Sequence, residues 1–474
     1  MSHIFTISFN PQQVPDDWKH AHVKPLFKNG VASDPNNYRP ISLTSTCCRV
    51  MERIINKELI DYLLDKSLVS KEQHGFIRRR STCSNLLECL QDWMLSIDNK
   101  RITDVIYIDF KKAFDQVSHN KLLLKLNSYG ITGDLYGWIK SFLSNRTQAV
   151  KLDGCLSSVI AILSGVPQGS VLGPILFVLF INDLVDCFKN LAVSTKLFAD
   201  DLKLYTSYGL TDSSCDLTEA LHRVTVWAKK WQLTINSTKC NVLRIVNPRC
   251  KNKSDIVYDL NGSSLKVLSV VKDLGVAVDK NLRFDNHISS VVHKSLQRAN
   301  LILKCFQSRD RSLLMKAFKV YVRPLLEYAT PVWSPHFMYL ILKIEHVQRS
   351  FTKRLFGLKN LTYIDRLKQL EIDTLERRRL IYDLCTCFKI IHGYNDTCLD
   401  MNRMHLEGRP NNTRGHNLKL AKEMCRTDML RFFFCNRICT VWNSLPLDVV
   451  NAPSVNSFKK RVSKFNLDRF LTLK

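Results

Sequence analysis

The chain has 474 residues, 45% of them hydrophobic, and sets Lys+Arg 69 against Asp+Glu 43 for a formal net charge of +26. Its length points to about three units rather than one, and its apolar content excludes a disordered chain. So large a positive excess calls for a polyanionic partner, either nucleic acid or an anionic membrane surface. The longest apolar stretch, Val171 to Ile181, falls short of the ~20 residues that cross a bilayer, and the N-terminus lacks a secretory-signal pattern. Nucleic acid is therefore expected, and no membrane.

Elements follow from the pattern in chain order. Residues 11–50 are turn-rich, with the short extended pieces AHVKPLF and RPISL. Leu86, Leu87, Leu90, Trp93, Met94 and Ile97 recur at helical spacing and predict a helix over 82–99. Thr103 to Asp109 reads as a buried strand ending in a carboxylate. Helices are expected over 122–129 and 135–143, and strands over 148–152 and 158–163. The turn SGVPQGS precedes an apolar helix running to about Phe188. KLFADDLKLYT (196–206) reads as two short strands around a tight turn. A helix near 216–231 and a strand near 241–246 complete a β-α-β-β-α-β order, a split βαβ sheet. Beyond a boundary near 285, residues 288–306, 310–328, 338–356, 373–393 and 417–443 look helical and basic.

The 16 cysteines form no CxxC pair and no zinc-finger spacing with His. Without a signal peptide they are expected as free thiols of a reducing, intracellular compartment. Cys435 and Cys439, inside RFFFCNRICTVW, are expected in the core. Basic runs such as Arg78 to Arg80 are poor evidence for nuclear import.

The chemistry-bearing residues are Asp109, at the end of an apolar strand, and Asp200 and Asp201, in the turn of an apolar hairpin. In a split βαβ sheet the two elements can be central neighbours, so the carboxylates converge on one edge. Phosphoryl transfer asks a protein mainly for positioning and charge neutralisation. Two Mg²⁺ ions, which take hard oxygen ligands, need only two or three carboxylates plus substrate phosphates. Carboxylates crowded without a cation repel one another and raise their pKa values. Taken singly, an Asp-Asp turn is ordinary turn chemistry and a strand-terminal Asp is often a helix cap. Their joint occurrence favours catalysis.

YIDFKKAFDQVSH (107–119), SGVPQGSVLGPILF (164–177) and FADDLKLY (198–205) resemble core motifs of non-LTR retrotransposon reverse transcriptases, closest to the jockey-like and CR1-like LINE groups. The resemblance runs in order along nearly the whole chain. Upstream it includes PDDWKHAHVKPLFKNG (15–30), NYRPISLTSTCCRVMERII (37–55) and QHGFIRRRST (73–82). Downstream it includes LTINSTKC (233–240), VKDLGVAVD (271–279), YVRPLLEYATPVWSP (321–335), IEHVQRSFTKRL (344–355), RLKQLEIDTLERRR (366–379), TRGH (413–416) and VWNSLP (441–446).

The resemblance implies an α+β right-hand polymerase: fingers over 1–100, a palm with the catalytic carboxylates over 101–285, a helical thumb over 286–400 and a C-terminal helical region over 401–474. It implies Asp109 and Asp200 as ligands of two Mg²⁺ ions (with Mn²⁺ as a substitute), Asp201 as a further ligand or orienter, and Phe110 as a carbonyl donor. Phe114 becomes the aromatic ring beneath the incoming sugar, selecting deoxynucleotides; composition alone would leave it in the core. Gln168 and Gly169 would lie against the nascent pair and template, at a turn whose free N–H groups suit an anion or a base edge. Lys28 and Arg39 match basic positions on the triphosphate, and Lys239 a Lys that protonates pyrophosphate. Arg78, Arg79 and Arg80 could grip template phosphates. In the thumb, Arg349, Lys353, Arg354, Arg377, Arg378 and Arg379 are candidates to track the duplex backbone, whereas Trp333, Trp442 and Phe432 to Phe434 are expected in the core.

The implied partners are an RNA template, a DNA primer or target and deoxynucleoside triphosphates; oligomeric state is left open. Full elements of this family carry an endonuclease ahead of the polymerase, and none is expected in the first fifteen residues. An RNA-directed RNA polymerase is the competing enzyme, and Phe114 argues against it. The competing non-enzyme is a catalytically inactive, nucleic-acid-binding remnant of a retrotransposon.

Overall fold

A computed structural model describes residues 2–209, 215–247, 256–397, 399, 416–422 and 424–473. The chain starts with helices α1 (Ser2–Phe9) and α2 (Asp16–Lys19), a hairpin of β1 (His20–Phe27) and β2 (Tyr38–Leu43), and helix α3 (Thr46–Asp65). The expected amphipathic helix is α4 (Thr82–Asp98), started by a capping box between Ser81 and Ser84. Next come β3 (Ile102–Ile108), α5 (His119–Ser128), α6 (Gly133–Leu143), β4 (Arg146–Leu152), β5 (Cys155–Leu156) and β6 (Ile160–Ile162). The apolar helix α7 (Gly173–Ile181) leads to the hairpin of β7 (Ser194–Phe198) and β8 (Asp201–Tyr208), then α8 (Cys215–Trp231) and β9 (Asn241–Ile245). Short strands β10 (Asp259–Leu260), β11 (Ser263–Ser264) and β12 (Lys266–Leu268) precede a second hairpin, β13 (Val270–Asp273) with β14 (Val276–Asp279).

The central sheet has the order β12-β9-β3-β8-β7. β3 lies in its middle, antiparallel to β8 and to β9, with Val105 opposite both Tyr205 and Leu243. Side chains alternate between the faces. Val105, Tyr205 and Leu243 enter one core with α4 and the C-terminal helices. Ile106, Leu204 and Val242 enter a second core with α3 and α5 to α8. Burial on both faces explains why β3 reads as a run rather than as an alternation. The exception inside it, Asp104, is fully buried and satisfied. It takes two hydrogen bonds from the Arg244 guanidinium (2.8 and 2.9 Å) and one from each hydroxyl of Tyr208 and Tyr258 (2.8 Å).

Two segments lie elsewhere than chain order implies. β4 leaves the central sheet and pairs parallel to β1, Thr147 beside His20, with β6 antiparallel to it, so residues 146–162 complete the N-terminal sheet. α4, in turn, packs on the central sheet and on the C-terminal helices. A cut at residue 100 thus crosses shared sheets and cores.

The C-terminal part is helical, as expected: α9 (Asp285–Cys305), α10 (Arg311–Ala317), α11 (Arg323–Glu327), α12 (Thr330–Trp333), α13 (Met338–Lys353), α14 (Tyr363–Leu370), α15 (Leu375–Ile391), α16 (Asp428–Arg431), α17 (Phe434–Asn443), α18 (Leu447–Val450) and α19 (Val455–Lys464). Residues 311–327 are helical without a break, as expected, but carry a π-turn over Phe318–Val322 between α10 and α11, next to Pro324, which lacks an N–H. By contrast, 417–443 is not continuous. The buried Asp98 carboxylate takes the backbone N–H groups of Arg426 (2.9 Å) and Thr427 (2.7 Å), and helix begins only at α16. Cys435, Cys439, Trp333, Trp442, Phe433 and Phe434 are buried, whereas Phe432 is half-buried and stacks on His336 (4.0 Å between centroids). Thr413 to Gly415 of the TRGH motif lie outside the described residues. Among the described residues no helix is long and apolar enough to cross a membrane.

Asp104→Ala would strand the Arg244 charge in a core. It is expected to cost about 3–5 kcal/mol, measurable as a lower urea midpoint; a loss below about 1 kcal/mol would mean that the ion pair is not holding these strands.

Candidate active site

The β3–β8 register decides the site. Ile108 pairs with Leu202, and Phe198 with Asp201 across the hairpin. Continuing β3 by one residue sets Asp109 level with Asp201, while Asp200 occupies the turn beside them. The first turn residue, Ala199, has φ +55, a left-handed conformation that a non-glycine side chain resists.

Asp109 is held from behind. Its carbonyl accepts the Asn236 N–H (2.8 Å), its Oδ2 accepts the Asn236 side-chain amide (3.2 Å), and its N–H points to Cys240 Sγ (3.4 Å). The Lys239 ammonium lies 4.0 Å from the same Oδ2. Phe110 bridges to Ile235, with its ring buried against Trp227 and its backbone directly after Asp109.

Burial raises the Asp200 carboxyl, and the Asp109 charge raises it further; Lys28 and Arg39 are near enough to pull it back down. Asp201 is pushed up to about 6 by partial burial first, then by the charges of Asp200 and Asp273. A cavity of about 150 Å³, lined in part by Asp109, Asp201, Lys239, Asn241 and Asp273, opens beside them. Beneath it the buried Lys203 ammonium binds Asp273 (2.9 Å) and Asn85 (2.6 Å), tying β8 to β13 and α4.

These donors fit a hard divalent cation. Oxygen ligands predominate, and the sulfur that meets the Asp109 backbone, that of Cys240, is buried with its thiol pKa pushed up, so it stays protonated. A cation would also remove the repulsion that raises Asp200 and Asp201. Among the described residues no three His, Cys, Asp or Glu side chains close into a preformed cage.

Phe114 stacks on Phe177 of α7 (4.2 Å between centroids, 14°), with Phe76 edge-on at 6.3 Å. Its backbone is clamped by Gly165 (φ +89), where a Cβ would come 2.8 Å from the Asp115 Cα. The Gln168 carbonyl accepts the Ser42 N–H of β2 (2.7 Å), and a Cβ on Gly169 would meet the Ser42 carbonyl at 2.6 Å. The turn therefore fastens the N-terminal sheet to the centre. The N–H groups expected to be free at the start of α7 are not. Glu52 accepts those of Val171 (2.6 Å) and Leu172 (2.9 Å), and Ser170 accepts that of Gly173 (2.9 Å), because a buried helix start needs partners. Lys28 and Arg39 are exposed at the β1–β2 hairpin.

The basic clusters divide. Arg80 is committed to the carbonyls of Ser70 (2.7 Å) and Gln73 (2.7 Å); Arg78 pairs with Asp61, and Arg79 lies 3.9 Å from Asp396. Arg349, over the Tyr363 ring (4.8 Å), Lys353, and Arg354, on Asn300 (2.5 Å), are exposed on the α13 face. Arg377 to Arg379 are not. Arg379 is 3% exposed, Arg378 binds Glu327, and Arg377 holds the carbonyls of Ser463 and Phe465, because α15 lies inside the C-terminal bundle.

Sequence reasoning passed over Asn236, Lys203, Asp273, Gln73 and Gly75. One signal was available: a Lys between leucines on a strand, as Lys203 is, requires a buried partner.

Carboxylates at two neighbouring strand ends of the central sheet, an N-terminal sheet docked on them and a basic helical C-terminal region make up the α+β architecture of the right-hand polymerase fold. A family model for reverse transcriptase (RNA-dependent DNA polymerase) matches residues 26–278, more than half of the sequence, and the chain belongs to that family. It is similar to the probable RNA-directed DNA polymerase from transposon BS of Drosophila melanogaster, 30% identical over 349 residues covering 70% of this chain and 37% of that protein. It is also similar to the RNA-directed DNA polymerase from mobile element jockey of the same species, 29% identical over 364 residues covering 75% and 39%. The chain thus spans less than two fifths of these curated relatives. A solved telomerase from Candida Tropicalis aligns at a TM-score of 0.44 and 10% identity, over 98% of this chain and 67% of that one.

Because Asp201 holds its proton more tightly folded than unfolded, it destabilises the metal-free fold once ionised, above about pH 6. The penalty fades as pH falls toward the ordinary value near ~3.9. Asp201→Asn should raise the thermal midpoint in chelator at about pH 7.5 and lose most of that gain by about pH 4.5; a pH-independent difference would remove this account.

Proposed function

We propose that this chain copies RNA into DNA, extending a DNA 3′ end along an RNA template as a step of retrotransposition. The observation that carries the reading is the juxtaposition of Asp109 with Asp200 and Asp201 at adjacent strand ends, where the Asp109 charge raises Asp200 and both raise Asp201. Two bound Mg²⁺ ions (or Mn²⁺) would activate the 3′-hydroxyl and neutralise the leaving pyrophosphate. Asp109 and Asp200 would hold them, with the Phe110 carbonyl as a backbone donor and Asp201 as a third acid that ligates or orients.

Lys28 and Arg39 would hold the triphosphate, and their effect on Asp200 supports their nearness to the reacting phosphates. Lys239, exposed and 4.0 Å from Asp109, is suited to deliver a proton to the leaving group. Phe114 would set its ring against the 2′ position of a deoxynucleotide. Gln168 and Gly169, fixed on β2, would hold the template side of the new pair. Arg78 and Arg79 could reach template phosphate by exchanging their carboxylate partners, and Arg349, Lys353 and Arg354 would follow the duplex backbone, a grip that weakens with salt.

Primer extension on poly(rA)/oligo(dT) tests the reading. Asp109→Asn and Asp200→Asn are each expected to lower the rate by ~10³-fold or more, the scale on which charge stabilisation acts in phosphoryl transfer. Unchanged extension by either variant would refute the assignment. No extension by the wild type, with salt-dependent RNA binding intact, would favour the inactive remnant instead. Phe114→Ala is expected to shift selection toward ribonucleotides by roughly 10-fold, the worth of a small steric contact; unchanged selection would remove Phe114 from sugar recognition.

A further inference from the structure

We infer that Gln73 is a positioning residue that holds the Asp200–Asp201 turn in its reactive conformation, an inference that rests on the polymerase reading above. β7 is the outer strand of the central sheet, so its free edge could let the hairpin drift. Residues 72–74 cover that edge. Leu197 N–H donates to the Glu72 carbonyl and His74 N–H to the Leu197 carbonyl, both at 2.9 Å, with Gln73 bridged parallel to Leu197.

The Gln73 side chain, 0% exposed, then closes on the turn itself. Its Oε1 accepts the N–H of Ala199 (2.9 Å) and of Gly75 (2.7 Å), while its Nε2 donates to the Ala199 carbonyl (3.4 Å). Both backbone groups of the residue before Asp200 are thus bound by one amide. Ala199 is also the residue in the left-handed conformation, which persists only where surroundings over-determine it. Gly75 is part of the same clamp. A Cβ there would lie 2.3 Å from the Ala199 nitrogen, so only glycine lets the segment approach. Among the described residues no hydrogen bond from this segment reaches a carboxylate of the site, so Gln73 acts through the turn.

Gln73→Met keeps the volume and removes all three hydrogen bonds. It is expected to lower kcat in primer extension by about 10²-fold, the cost of a displaced reactive group, with the deoxynucleotide KM and primer-template Kd within about 2-fold. The rise in thermal midpoint produced by Mn²⁺ alone should shrink in the same variant. In the wild type the Ala199 amide should rank among the slowest to exchange with deuterium. A kcat within about 2-fold of wild type, or KM and kcat failing together with folding, would overturn the inference, as would an unprotected Ala199 amide. The exchange and Mn²⁺ measurements need no catalysis. They judge Gln73 even if the wild type extends no primer, an outcome that would sink the polymerase reading alone.

Discussion

The pairing of β3 with β8 in the middle of a sheet buried on both faces is the constraint on which the rest of the molecule depends. Side chains alternate with a period of two, so a slip of one residue would turn Asp201 and Lys203 toward the very core that Leu202 and Leu204 would leave. The two cores that sandwich the sheet therefore fix the register, and the register sets Asp109 beside Asp201. Hydrophobic burial over two faces thus carries the cost of gathering three carboxylates.

Around that pair, buried polar groups do the fine positioning. Asn236 fixes Asp109, Lys203 with Asp273 and Asn85 supports β8 from below, and Gln73 grips Ala199. Each joins segments far apart in sequence, and each is satisfied where an unsatisfied group would be costly. Such contacts are directional, so they can specify a turn that apolar packing alone would leave loose.

The charge of the chain has two destinations. Arg80, Arg244 and Arg377 to Arg379 are spent on carbonyls, carboxylates and the bundle interior. Lys28, Arg39, Arg349, Lys353 and Arg354 remain on the surface. Net charge alone could say that a polyanion binds, since it sums over both groups, but not which cations meet it.

Motif spacing and apolar patterning by themselves determined the strand ends that carry Asp109, Asp200 and Asp201, the aromatic Phe114, the SGVPQGS turn and the helical C-terminal part, because strand period, turn chemistry and helix period are local properties of the chain. Tertiary structure alone decided that β4 joins β1, that α4 sits with the C-terminal helices, that Glu52 occupies the α7 N-terminus and that 417–443 is broken by Asp98. It also decided which cations are buried and that Gln73 and Asn236 hold the site. Pairing partners and hydrogen bonds across more than a hundred residues leave no periodic trace; they are chosen by which surfaces must be covered and which buried groups must be satisfied.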